Sequence, residues 1–173
     1  MKIKDIAATA ISLFGAAIFM DSLRYKFTDH PKTQVIFGAL NEWAGTLGVS
    51  GLFAHTGLFS QYVIGSAELV ASTLLLVGLL PRLRRLNALG ALIAAAVMSG
   101  AVSFHLFTPL GIDPNNDGGG LFAAAATLLA GSFVLIAIRL PEITGLLQGI
   151  GRAIVPPSDD QAMVKPPMMQ VVA

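Results

Sequence analysis

The chain of 173 residues has no cysteine. That absence excludes disulfides, thiolate nucleophiles, CxxC redox pairs and Cys-ligated metal centres. A redox role would therefore need a bound cofactor, a quinone or a partner protein. Charge is scarce too: 12% of residues are Asp, Glu, Lys or Arg, against roughly 25% in soluble domains. With 54% hydrophobic residues and a mean hydropathy of +0.73, the composition is wrong for a water-soluble globule. No basic stripe with interleaved aromatics is present, so nucleic-acid binding is not expected. The three histidines show neither H-x₃-H nor H-E-x-x-H spacing, so no metal site is expected.

What the sequence has instead is long apolar runs. A bilayer crossing needs about 20 mostly apolar residues, and the pattern predicts spans at about 6–23, 61–80, 87–107 and 121–140. The expected fold is all-α, an integral membrane four-helix bundle with an interfacial first loop. Residues 1–155 form the membrane domain. Residues 156–173, with their prolines, Ser158-Asp159-Asp160 and scattered methionines, read as a disordered cytoplasmic tail. The basic start and first apolar run resemble a signal peptide. Phe19-Met20-Asp21 offers no A-x-A cleavage site, so the run is read as a first spanning helix.

The first loop carries the turn signal Asp29-His30-Pro31, then Val35, Ile36, Phe37, Leu40 and the single tryptophan, Trp43. That spacing predicts an amphipathic helix at the membrane surface, with Trp43 at headgroup level. Leu52-Phe53 and Leu58-Phe59 either dip into the bilayer edge or cap the bundle. The third span is rich in alanine, serine and glycine, which lets helices approach closely. Gly118-Gly119-Gly120 reads as a turn into the last span. After Leu140, Pro141 opens a weakly amphipathic segment reaching Val155.

Basic residues set the expected orientation. Lys2 and Lys4 precede the first span, Arg82, Arg84 and Arg85 join the second to the third, and Arg139 and Arg152 follow the fourth. The loop at 112–120 has two acids and no base. The positive-inside rule then puts both termini in the cytoplasm. Arg24, Lys26 and Lys32 in the first loop are an exception, offset by Asp21, Asp29 and Glu42.

Two ionisable groups lie inside apolar runs: Glu68 in the second span and His105 near the end of the third. A charge in hydrocarbon costs about 2.5–3.5 kcal/mol on insertion scales, which makes such groups functional candidates. Glu68 falls seven residues below Gln61, about 10 Å along the helix. His105 falls in the same leaflet, and Arg24 and Lys26 reach that level from the first span. The candidate ligand-binding residues are therefore Glu68, His105, Arg24 and Lys26. The alternative for Glu68 is a structural staple to Arg24 or Lys26; for His105, it is a hydrogen-bonded anchor flanked by Phe104 and Phe107. No residue is singled out as catalytic.

Gly65-x-x-Glu68, followed by Leu74-Leu75-Leu76-Val77-Gly78-Leu79, Pro81-Arg82 and an Ala/Leu-rich third span, resembles the DoxX family of small four-helix membrane proteins. Leu23-Arg24-Tyr25-Lys26-Phe27 is similar to the lysine-bearing end of that family's first helix, and the glycines before the last span match as well. The large first loop and acidic third loop are similar to those of the related reactive-chlorine-resistance inner-membrane proteins. The resemblance covers roughly residues 6–140. It implies a four-helix bundle in a bacterial inner membrane, with Lys26 and Glu68 as the positions that carry over. Some members are subunits of thiosulfate:quinone oxidoreductases and others act in oxidative-stress defence. The family's C-terminal glycine-rich motif is not found around Gly149 to Arg152.

The leading expectation is a DoxX-like inner-membrane protein with a polar outer-leaflet pocket open to the periplasm. Such a pocket would bind a quinone or other small amphiphile as the membrane part of a redox or stress-response system, with no covalently bound cofactor. The alternative is a non-catalytic membrane scaffold or anchor that recruits a protein partner at the periplasmic face through the first loop.

Overall fold

A computed structural model describes residues 3–154, and those residues form helices joined by turns and loops, with no strand. The tail expected at 156–173 lies outside the described residues. Helix α1 spans Ile3–Lys26, α2 Pro31–Thr46, α3 Gln61–Val77, α4 Arg84–Phe107, α5 Gly120–Ile138 and α6 Leu140–Ile154. A single 3₁₀ turn, Pro81–Leu83, links α3 to α4.

Helix α1 continues past the expected end at residue 23. Asp21 pairs with Arg24 at 2.9 Å, and Arg24 and Lys26 occupy the last turn. Cations there complement the negative end of the helix dipole. Helix α3 stops earlier than expected, at Val77. A Cβ on Gly78 would sit 2.1 Å from the backbone nitrogen of Asn87, so the chain turns there into a position only glycine can occupy. Ser60 starts α3 by accepting a hydrogen bond from the Val63 N–H at 3.3 Å, a normal N-cap arrangement. Before α5, Gly118 and Gly119 have φ of +71° and +80°, the left-handed region open to glycine. They let the chain fold back so that the Asp117 carboxylate accepts the N–H groups of Gly119 and Leu121, each at 3.0 Å. The helix start is thus capped by the chain's own acid.

Helix α1 packs against α3 and α5, and α4 packs against the same two. The core between them is built from Phe19, Leu75, Leu128 and Leu135, with Ala71, Ala91 and Ala94 allowing close approach. Helices α1, α5 and the Pro81–Phe107 stretch containing α4 are long and apolar enough to cross a membrane; α3, with 17 residues, is a shorter apolar helix. Only 33%, 33% and 22% of the three long apolar windows is buried. The rest, including Phe133, Val134 and Leu106, faces outward. An uncovered apolar surface of this kind suits lipid rather than water.

The two ends of the bundle differ. At one end, here the loop end, α2 lies over the helix termini. Leu40 and Ala44 pack with Phe53 and Leu110 in a second small core. The inward face of α2 is therefore covered by protein, and Phe53 caps the bundle, edge-on to Phe104 at 5.2 Å. Leu58 and Phe59 remain exposed. At the other end, the arginine end, α6 touches α4 and α5 but buries none of its residues. It is strongly, not weakly, amphipathic: Leu140, Leu147, Ile150 and Ile154 are all exposed along one stripe.

Candidate functional site

The loop end holds a buried polar network between α1 and α3. Glu68 lies on the face of α3 turned toward α1 and is 3% exposed. Lys26, the last residue of α1, reaches it across Gly65, whose missing side chain leaves Lys26 Cβ and Cδ 3.5 Å from where a Cβ would stand. Lys26 Nζ donates to Glu68 Oε1 at 3.0 Å and also to Ser22 Oγ. The other carboxylate oxygen, Oε2, is buried and has no hydrogen-bond partner. A carboxylate that far from water with one oxygen unpartnered is costly. Ser72 donates to the Glu68 backbone carbonyl at 2.7 Å and leaves the carboxylate untouched.

Two turns toward the loop end, Gln61 joins the same network. Its Nε2 donates to the Lys26 carbonyl at 2.7 Å and to Asp29 Oδ1 at 2.5 Å. Its Oε1 accepts from Gln34 Nε2 at 2.8 Å. Tyr62 donates to Asp29 as well, at 2.8 Å. Asp29 has a φ of +51°, a left-handed conformation that Asp tolerates better than most residues. The turn after α1 is thereby tied to the start of both α2 and α3.

Beside Gln61 opens a cleft of about 240 Å³, lined by Gln34, Phe37, Asn41, Phe53, His55 and Gln61 among others. Asn41 Oδ1 is buried without a partner. Glu68 is not in the cleft wall; Gln61 and Lys26 stand between them in the hydrogen-bond chain. Among the described residues, the only buried side-chain polar atoms lacking a partner are Asn41 Oδ1 and Glu68 Oε2. Both are acceptors, and both lie toward the loop end.

Of the four residues singled out from sequence, the structure joins two. Lys26 and Glu68 form the ion pair. Arg24 points outward, paired with Asp21 and donating to the Tyr25 hydroxyl at 3.0 Å. His105 is buried, but its Nδ1 donates to the Gly111 carbonyl at 2.6 Å and its ring meets Phe122 edge-on at 5.6 Å. It fastens the loop after α4 back onto the helix, the anchor role weighed above. No hydrogen bond or ion pair links Arg24 or His105 to Glu68. Among the described residues no group of three or more His, Asp or Glu side chains is placed to hold a metal.

Sequence reasoning did not single out Gln61, Asp29, Gln34 or Asn41. Gln61 had a usable signal, since it sits seven residues, about two turns, before Glu68 and so shares its face. A second buried polar cluster at the arginine end was also missed. Asn87, fully buried, donates to Ser12 Oγ and to the Leu75 carbonyl, both at 2.9 Å, and accepts from Arg139 Nε at 2.8 Å. No protein-family model, curated protein or solved structure matches the chain.

Proposed function

We propose that the chain is a four-span membrane protein whose loop end binds the head group of a small amphiphile carrying hydroxyl donors, a quinol above all. In this reading it serves as the membrane part of a quinone-linked redox or oxidative-stress system in a bacterial inner membrane, as the DoxX-like resemblance implies. The observation that carries the binding site is an unpartnered buried acceptor in the cleft wall, Asn41 Oδ1. An acceptor without a donor calls for a ligand that donates, so the reduced, hydroxyl-bearing ring fits better than the oxidised one. Phe37 and Phe53 supply aromatic walls, and Gln34, Gln61 and His55 supply polar contacts. A cleft of about 240 Å³ is smaller than the roughly 300 Å³ at which drug-sized sites begin. It takes one ring and leaves the ligand's chain in lipid. Asn41 and Gln61 would hold the ring, while Lys26 and Glu68 fix the charge behind Gln61.

The fourth span is α3. Its 17 residues extend about 26 Å, and Leu79 and Leu80 carry the apolar stretch toward the roughly 30 Å of a hydrocarbon core. The arginine end faces the cytoplasm under the positive-inside rule. Two of the three bases at the loop end are paired, Arg24 with Asp21 and Lys26 with Glu68, which supports that orientation.

A scaffold without ligand is favoured by one observation, the 3.0 Å Lys26–Glu68 contact between groups only 14% and 3% exposed. It staples α1 to α3 whether or not anything binds. Solvent extraction of the purified full chain separates the two readings. The binding reading expects near-stoichiometric quinone or quinol by absorbance, lost in Asn41→Leu; the scaffold reading expects none in either protein.

A further inference from the structure

The arginine end carries a second, differently built site. Arg139 closes α5 and is 5% exposed. Its Nε is committed to Asn87 at 2.8 Å, and Asn87 is itself locked by Ser12 and the Leu75 carbonyl. The guanidinium plane is therefore fixed in direction. Its terminal nitrogens make no close hydrogen bond: Glu142, its ion-pair partner, lies 3.8 Å from Nη1, beyond the roughly 3.2 Å limit of a good hydrogen bond. Arg139 lines a cleft of about 320 Å³ together with Lys4, Asp5, Arg84 and Glu142. Arg84 keeps only a loose contact with Asp5, at 3.3 Å and 44% exposed. Three bases face two acids, and the most buried charge is a pre-oriented fork of donors, the geometry suited to a phosphate oxygen pair.

The floor of this cleft continues into α6, whose first residues Pro141 and Glu142 help to line it. The stripe of Leu140, Leu147, Ile150 and Ile154 on α6 is covered by none of the described residues. A helix of this kind lies in the boundary between head groups and acyl chains. With α6 in that plane, the cleft at its root stands at the level of the lipid phosphates.

We propose that the cleft between α1, α4 and α6 is a binding site for the phosphodiester of an anionic phospholipid, with Arg139 as the oriented donor and Arg84 and Lys4 as the outer charges. The proposal rests on the bilayer placement given above and is independent of the quinol site. The test uses the full chain, delipidated in neutral detergent and titrated with short-chain phosphatidylglycerol, with phosphatidylcholine of the same chain length as control. Melting temperature and native mass spectrometry are the readouts. The expected result is retention and stabilisation by phosphatidylglycerol well beyond phosphatidylcholine. Arg139→Gln should weaken binding about ten- to a hundredfold, the range for a lost hydrogen bond to a charged group. Because that variant also releases Asn87, the exposed Arg84→Gln serves as a second probe, expected to keep the melting temperature of the lipid-free protein while lowering phosphatidylglycerol affinity. Equal binding of the two lipids, or phosphatidylglycerol affinity unchanged in a folded Arg84→Gln and Arg139→Gln, would overturn the site. Inorganic phosphate that stabilises as strongly as the lipid would overturn the lipid assignment and point to a soluble phosphate. Quinol binding in both variants should match wild type, so failure here is distinct from failure at the loop end.

Discussion

Replacing Lys26 by methionine removes the only partner of a carboxylate that is 3% exposed. At 3.0 Å, two unit charges attract by about 5 kcal/mol at an effective dielectric of 20. Desolvation of the two ions offsets several kcal/mol of that, so the net worth of the pair is small. Breaking it is another matter, because Glu68 then has neither oxygen partnered, and such losses cost about 3–5 kcal/mol. Glu68→Gln alone leaves the Lys26 ammonium held by Ser22 and partly exposed at 14%, so its cost should be smaller, about 1–3 kcal/mol. The double variant Lys26→Met/Glu68→Gln replaces both charges and should recover most of the loss. Unfolding of the full chain in mixed detergent micelles, read by circular dichroism, gives the four free energies. A coupling energy below about 0.5 kcal/mol, the level of independent sites, would refute a buried pair.

Three further predictions follow from other elements. Asn87→Leu deletes three hydrogen bonds at once and strands the Arg139 guanidinium, so it should cost about 3 kcal/mol or more in the same unfolding assay. The Leu121 N–H holds the Asp117 carboxyl below its ordinary range, so the stability it adds is complete above its unfolded value of about 3.9 and lost as pH falls through its lower folded value. The melting-temperature gap between wild type and Asp117→Asn should therefore be steady near pH 6 and shrink below about pH 4. In intact cells an impermeant maleimide should label Asn115→Cys and spare Gln148→Cys, the chain being otherwise free of cysteine; the opposite pattern would invert the orientation.

Much of the fold was legible because hydrocarbon-length apolar runs leave few choices. The long helices begin and end within three residues of their expected bounds: α1 is longer by three at each end, α3 stops three early at Val77 and α4 starts three early at Arg84. The early stop of α3 comes from a backbone crossing at Asn87 that no periodicity reveals. Depth alone put Glu68 within reach of Arg24 or Lys26, and the DoxX-like resemblance singled out Lys26. Arg24 stands two residues from Lys26, about 200° around a helix, so the two side chains leave α1 in different directions and only Lys26 meets Glu68. His105 is turned from a site residue into an anchor by Gly111, six positions later in a loop whose course only tertiary structure gives. The stripe of α6 was readable at Leu140, Leu147, Ile150 and Ile154, but Pro141 and three nearby glycines obscured it. Arg139 was counted only for its charge. Its burial depends on Asn87, 52 residues earlier.

In the proposed function the loop end binds a hydroxylated ring through Asn41 Oδ1, an acceptor that nothing else satisfies. Isothermal titration of the detergent-purified chain with a short-chain quinol, beside Asn41→Leu at matched folded fraction, tests it most directly. The expected result is saturable one-to-one binding to wild type, with Asn41→Leu weakening it about tenfold or more and the oxidised quinone binding less tightly than the quinol. Absence of binding to the folded wild type, or equal affinity in both proteins, would contradict it.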